Sequence, residues 1–145
     1  MSKTVRFEAS HTNTVNASAS DIWAIWTDVS KWTALDAGNG KASLRGSFAP
    51  GSVVSLTLRN GSTFEVHLKT VTKNEEFSYE TAVPGGVVRT YHKMKQSGDH
   101  LIVTYALEAE ITEKEAHAFS IGLWQNLVAG IPSQVENVTA LARAA

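Results

Sequence analysis

Between Ala42 and Glu110 the chain alternates apolar and polar residues with a period of two, and glycine-bearing turns interrupt it at short intervals. On either side the period becomes helical. Ser18 to Leu35 is a tryptophan-rich amphipathic segment that follows one short strand, and from Thr112 an apolar stripe runs almost to the C-terminus. Strands joined by tight turns pair antiparallel and present one apolar face. The order of elements therefore describes a curved antiparallel sheet wrapped around a helix, a shape whose interior is commonly a ligand cavity.

The elements follow from local chemistry. Val5 to Val15, Thr-rich and partly alternating, reads as a strand. Ser18 precedes Asp21 by three residues and caps a helix over Ala19 to Thr27, with Ile22, Ile25, Trp26 and Val29 at helical spacing. Ser30 to Leu35 adds a further helical turn, ended by Asp36 to Gly40. Strands are then expected at Ala42–Phe48, Ser52–Arg59, Thr63–Thr72, Glu76–Val83, Val87–Lys95 and Leu101–Glu110. Asn60-Gly61 suits a two-residue hairpin turn because both residues tolerate positive φ, and Pro84-Gly-Gly supplies another turn. Thr112-Glu-Lys-Glu115 resembles a capping box and opens one long helix whose stripe is Phe119, Leu123, Leu127, Ile131, Val135, Val138 and Leu141. Gly130-Ile-Pro132 is expected to bend it.

At 145 residues the chain fits a single domain, 1–145, with about two-thirds of its unfolded surface buried. No repeat, low-complexity tract or linker divides it. The apolar fraction of 43% and charged fraction of 19% are ordinary for a globular protein, and no apolar run approaches the ~20 residues of a membrane helix. A formal charge of −1 with dispersed basic residues argues against a nucleic-acid surface. Cysteine is absent, which excludes disulfides, thiolate metal sites and a cysteine nucleophile. The start, Met1 to Arg6, has no apolar stretch of secretory type, so a cytoplasmic location is the expectation. The Asn-x-Ser/Thr matches at Asn16, Asn60 and Asn137 carry no weight without an export signal.

The segment Val15-Asn-Ala-Ser-Ala-Ser-Asp-Ile-Trp-Ala-Ile-Trp-Thr-Asp-Val-Ser-Lys-Trp32 resembles the opening strand-to-helix segment of the START-related, birch-pollen-allergen-like (SRPBCC) superfamily, in particular its polyketide cyclase/dehydrase and lipid-transport group. Leu44-Arg-Gly-Ser-Phe48 with Pro50-Gly51, the late strand Leu101 to Leu107 and the proline-bearing terminal helix extend the resemblance over essentially the whole chain. It implies an α+β helix-grip fold: about seven strands gripping the C-terminal helix, two small helices closing one end, and a deep apolar pocket between. Members bind lipids, sterols, polyketides, plant hormones or aromatic compounds, and a minority catalyse chemistry on them, so the fold by itself assigns no activity.

Strand alternation selects the residues facing such a pocket. Phe64, Val66 and Leu68 share one face, leaving Glu65, His67 and Lys69 for solvent. Phe77, Tyr79 and Thr81 face inward, as do Leu101, Val103, Tyr105 and Leu107. In the strand from Val87, charge on Arg89, Lys93 and Lys95 makes Val88, Thr90, His92 and Met94 the inner face, which brings His92 near Tyr79 and Tyr105. Phe119, Leu123 and Leu127 line the helix side, and Trp26 and Trp32 stand as a gate beside the entrance loop. Val71, apolar on the supposed solvent face, signals a bulge that would invert the parity.

No metal-ligand spacing joins His11, His67, His92, His100 and His117, Gly38-Asn-Gly-Lys41 lacks the pattern of a phosphate loop, and no nucleophile elbow occurs. No metal and no cofactor is expected. The leading expectation is a binding protein, monomer or homodimer, that carries or sequesters a small hydrophobic or aromatic molecule, with no nucleic-acid partner and no membrane insertion. One alternative is a cyclase, aromatase or dehydratase acting on a polyketide-like substrate, with His92 as acid–base, Tyr79 or Tyr105 on a carbonyl and Asp36 as a further candidate. Another is an interaction module of the chaperone-activator type, which would have a filled core.

Overall fold

A computed structural model describes residues 3–35 and 39–144. Seven strands form one antiparallel sheet in the order β1-β7-β6-β5-β4-β3-β2. They are β1 (Thr4–Val15), β2 (Asn39–Leu44), β3 (Val53–Leu58), β4 (Thr63–Thr72), β5 (Glu76–Val83), β6 (Gly86–Ser97) and β7 (His100–Thr112). From β3 to β7 each strand pairs with its predecessor, and β1 closes the order by lying along β7. Helices α1 (Ala19–Trp26) and α2 (Trp32–Leu35), joined through a 3₁₀ turn at Val29–Lys31, follow β1, while α3 (Glu113–Ile121) and α4 (Leu123–Ala144) follow β7. The curved sheet grips α4, and the arrangement is the helix-grip fold.

Several local expectations change. The second strand lies earlier than Ala42–Phe48, at Asn39–Leu44, because Gly46 at φ +81° turns the chain away from β3. Asn60-Gly61 is part of a three-residue loop, not a two-residue one. The Gly61 N–H reaches Leu58 O at 2.9 Å, the Leu58 N–H reaches Ser62 O at 2.8 Å, and only Gly61 of the pair has positive φ. The two-residue form occurs instead at Pro84-Gly85, between the paired Val83 and Gly86, where proline fixes the first corner and Gly85 takes φ +83° at the second. The bulge that Val71 signals is present. The register of β4 against β5 shifts between Leu68 and Thr70, so Lys69 is the extra residue and Val71 returns to the inner face opposite Phe77.

The helices also differ in part. Ser18 caps α1 by accepting from the Asp21 N–H at 3.2 Å, as its spacing predicts. Thr112 occupies the N-cap of α3 but makes no side-chain capping bond, so no capping box forms. The single terminal helix is two helices. The break is at Gly122 (φ −111°, ψ −102°), whereas α4 continues through the solvent-exposed Pro132. Packing accounts for the break: Phe119 and Trp124 both pack on Phe7, with ring centroids at 5.0 and 5.5 Å, yet residues five apart on a continuous helix point about 140° apart. A glycine lets the chain turn so that both rings meet one partner. Beyond it Ile131, Val135, Val138 and Ala142 are buried against the sheet, while Leu123, Leu127 and Leu141 are half-buried.

Strand spacing at the β5–β6 turn leaves no room for a side chain. A Cβ on Gly86 would stand 1.8 Å from the Glu110 carbonyl oxygen of β7. Gly86→Ala is therefore expected to destabilise the fold by roughly 2–4 kcal/mol, lowering the melting temperature by on the order of 10 °C in thermal denaturation. A melting temperature equal to that of the parent would show that β6 and β7 do not approach so closely.

Candidate ligand site

The register places the inward side chains in transverse rows. Phe77 pairs with His92, His92 with Tyr105, and Tyr105 with His11, so one row crosses β5, β6, β7 and β1. His92 is at its centre, stacked on Phe77 (4.0 Å between centroids, 10° between planes) and edge-on to Tyr105 at 4.8 Å. The neighbouring row is Leu68, Tyr79, Thr90 and Leu107. The alternation argument for β6 holds: Val88, Thr90, His92 and Met94 are buried, while Lys93 and Lys95 are exposed.

From the helical side, Trp26 of α1 meets His92 at 5.3 Å and Phe77 at 5.6 Å. Trp32 of α2 stacks on Tyr79 at 5.8 Å and on Phe77 at 6.2 Å. Its indole N–H donates to the Trp26 carbonyl at 2.9 Å, which satisfies an orphan carbonyl at the C-terminus of α1 and fixes the ring. Both indoles are buried, at 2% and 5% exposure, so they form packed walls. The carbonyls of α2 receive side-chain amides: Asn39 donates to Trp32 O at 2.8 Å, and Asn137 of α4 donates to Leu35 O at 2.9 Å. Those bonds tie the entrance segment to the sheet edge and to the gripped helix.

His92 is 4% exposed. Burial lowers its pKa from 6.5 to about 3, opposed in part by a hydrogen bond to the Phe77 backbone, so the imidazole is neutral at physiological pH. Its Nδ1 is buried and has no hydrogen-bond partner. A stacked neutral imidazole with one free acceptor nitrogen can receive an O–H or N–H. It is poorly suited to removing protons.

The other candidates divide. Trp26, Trp32, Phe77, Tyr79, His92 and Tyr105 form one connected group of rings. Phe119 belongs to a separate ring group with Phe7 and Trp124. Val66 is buried and Phe64 half-buried on β4, opposite Val54 and Leu56 of β3, and Leu123 and Leu127 are half-buried on α4. Sequence reasoning missed Phe48, which packs on Phe77 at 5.1 Å and on Trp32 at 6.5 Å, and Phe7. Phe7 carried a usable signal, being at the inward parity of β1; Phe48 lies in a loop, where parity says nothing. Asp36 lies outside the described residues. Among those described, no group of His, Asp or Glu is placed to hold a metal ion, and no helix is long and apolar enough to cross a membrane.

The opposite face of the sheet is ionic. Arg89 bonds Glu80 at 3.0 Å and Glu110 at 3.3 Å, and the Tyr91 hydroxyl donates to Glu108 at 2.7 Å. A shallow hollow of about 330 Å³ lies there beside Glu8, Ser10, Tyr91, Ala106 and Glu108.

No family model matches the sequence, and no curated protein matches it. Solved structures do. A point mutant of norcoclaurine synthase from Thalictrum flavum, in complex with a transition-state analogue, superposes with a TM-score of 0.78 at 15% identity, over 99% of this chain and 98% of that one. The di-domain ARO/CYC protein StfQ of the steffimycin biosynthetic pathway superposes with a TM-score of 0.77 at 13% identity, over 98% of this chain and 51% of StfQ. A protein of Rhizobium leguminosarum superposes with a TM-score of 0.72 at 11% identity, over 100% and 99% of the two chains. At these identities the likeness is one of fold, and the chain shares the helix-grip fold of these structures.

Proposed function

We propose that this protein binds a small, neutral, aromatic or hydrophobic molecule between the sheet and α4, and carries or sequesters it. The observation behind this reading is His92: a buried imidazole against four rings, those of Trp26, Phe77, Tyr79 and Tyr105, whose Nδ1 has no partner. A buried acceptor without a donor costs about 1–3 kcal/mol, a cost that a ligand O–H or N–H would remove while the rings supply apolar contact at roughly 25 cal/mol per Å². Charge in the ligand is disfavoured, because Thr90 and His92 are the buried polar residues on this face of the sheet among those described and neither is charged at neutral pH. The fold is that of norcoclaurine synthase, a structure of which holds dopamine and hydroxybenzaldehyde, and this supports an aromatic guest.

The enzymatic alternative asks His92 to transfer protons. General acid–base groups work best with a pKa near the operating pH, and His92, held at about 3 by burial, is far from it. Binding through the neutral acceptor nitrogen is therefore the stronger reading.

Native mass spectrometry of the purified protein, before and after extraction with organic solvent, is expected to reveal a small molecule that extraction removes. His92→Phe is expected to weaken its rebinding about tenfold, the loss of one buried hydrogen bond. A protein that carries nothing, and whose melting temperature no aromatic or lipid probe raises, would overturn the proposal.

Stability should also depend on His92. The native state keeps the imidazole neutral down to about pH 3, whereas the unfolded chain protonates it near 6.5. Between those values the unfolded state binds more protons, so stability falls as pH is lowered, by up to about 1.4 kcal/mol per pH unit. Urea denaturation between pH 7 and 4 should show this loss in the parent and a shallower one in His92→Phe; equal slopes would mean that His92 is solvated in the native state.

A further inference from the structure

We propose that two copies of this chain associate edge to edge through β1, antiparallel about a two-fold axis at Phe7, so that Arg6 of each copy faces Glu8 of the other. β1 is terminal in the strand order, and among the described residues it pairs only with β7. It is 12 residues long and contains no proline, and its register with β7 is unbroken from Thr4 to Val15. Of the usual protections of an edge, shortness, a bulge and proline are missing, and charge, on the exposed Arg6 and Glu8, is what remains.

The direction of its free hydrogen-bonding groups follows from the ladder. The Glu113 N–H donates to Lys3 O at 3.0 Å, so residues of Lys3's parity bond towards β7. Antiparallel ladders alternate, and Thr4, Arg6, Glu8 and Ser10 therefore direct their N–H and C=O groups away from the sheet. A second copy can pair only if these residues oppose one another.

Charge then selects the register. Centring the two-fold on Arg6 or on Glu8 opposes like charges, and centring it on Val5 or Ala9 leaves both charges facing Thr or Ser. Centring it on Phe7 opposes Arg6 to Glu8 and Thr4 to Ser10, each twice, with about eight backbone hydrogen bonds. The closely spaced positions become Phe7 against Phe7 and Val5 against Ala9, where cross-strand side chains make their best contacts. Arg6 and Glu8 are each 62% exposed; within one chain Arg6 pairs with Glu8 at 2.6 Å and with Glu108 at 3.1 Å, and the partner's Glu8 would share that guanidinium.

The apolar surface agrees. Among the described residues the exposed large hydrophobic side chains are Val5 (37%) and Ile121 (60%). One is on β1, and the other ends α3, the helix whose Phe119 packs on Phe7. The backbone bonds would supply the affinity, and the charges would fix the alignment.

Sedimentation velocity over a dilution series tests this. The parent is expected to show a reversible monomer–dimer equilibrium. Arg6→Glu opposes Glu to Glu and Glu8→Arg opposes Arg to Arg, so each should weaken self-association about tenfold or more. An equimolar mixture of the two variants restores both opposite-charge pairs and should form a 1:1 heterodimer by native mass spectrometry, and the double variant should dimerise as the parent does. Ser10→Pro removes an outward N–H without touching the ladder to β7 and should also give monomers, with an unchanged circular dichroism spectrum. A parent that is monomeric at every concentration, single variants that dimerise like the parent, or a mixture that stays monomeric would each overturn the proposal.

Discussion

The site depends on the length of two turns. Pro84-Gly85 joins Val83 to its partner Gly86, and Gly98-Asp99 joins Ser97 to its partner His100. Counting back along the strands from those closing pairs sets Phe77 beside His92 and His92 beside Tyr105, with no further instruction needed. Adding one residue to either turn would slide a strand by one position and send its whole inward set to the opposite face. Glycine at positive φ in each turn, Gly85 at +83° and Gly98 at +59°, is what keeps the turns this short.

Alternation gives the two faces of the same strands opposite electrostatics. On one, Arg89 gathers Glu80 and Glu110 with Glu108 nearby, and Lys69 reaches Glu80 at 3.6 Å, so the ionic groups compensate each other in reach of solvent. Pairs this exposed add little stability individually. Their consequence is on the other face: with charge placed outward, the inward rows are left to rings, aliphatic groups and a few uncharged polar atoms. Arg89, Tyr91 and Lys93 outside thus determine the polarity of the space around Thr90, His92 and Met94 inside.

How much of this could be read from the sequence varied with the range of the interaction responsible. Thr63–Thr72 and Glu76–Val83 lie where alternation places them, the face of β6 follows from its charges, and Val71 gave away the bulge at Lys69. Those are local signals. The break at Gly122 was not legible, because Pro132 is the stronger local breaker; the decision comes from Phe7, more than a hundred residues distant in the chain, which both Phe119 and Trp124 must reach. Phe48 was missed for a similar reason: only the packed loop brings it to Phe77. The inward residues could be named, but their division into a His92 group and a Phe119 group needed the helices in place.

His92 is the residue that a filled core does not explain. Phenylalanine at this position could stack on Phe77 and meet Tyr105 edge-on just as the imidazole does, without an unpaired nitrogen and without a group that must be kept neutral down to about pH 3. A sequence optimised for packing alone would lose nothing by the exchange and would gain the free energy now used to desolvate the ring. Local departures from the most stable choice concentrate at sites that do something besides fold. The unpaired nitrogen is buried within the ring group of the gripping sheet, and not at the periphery where water could satisfy it.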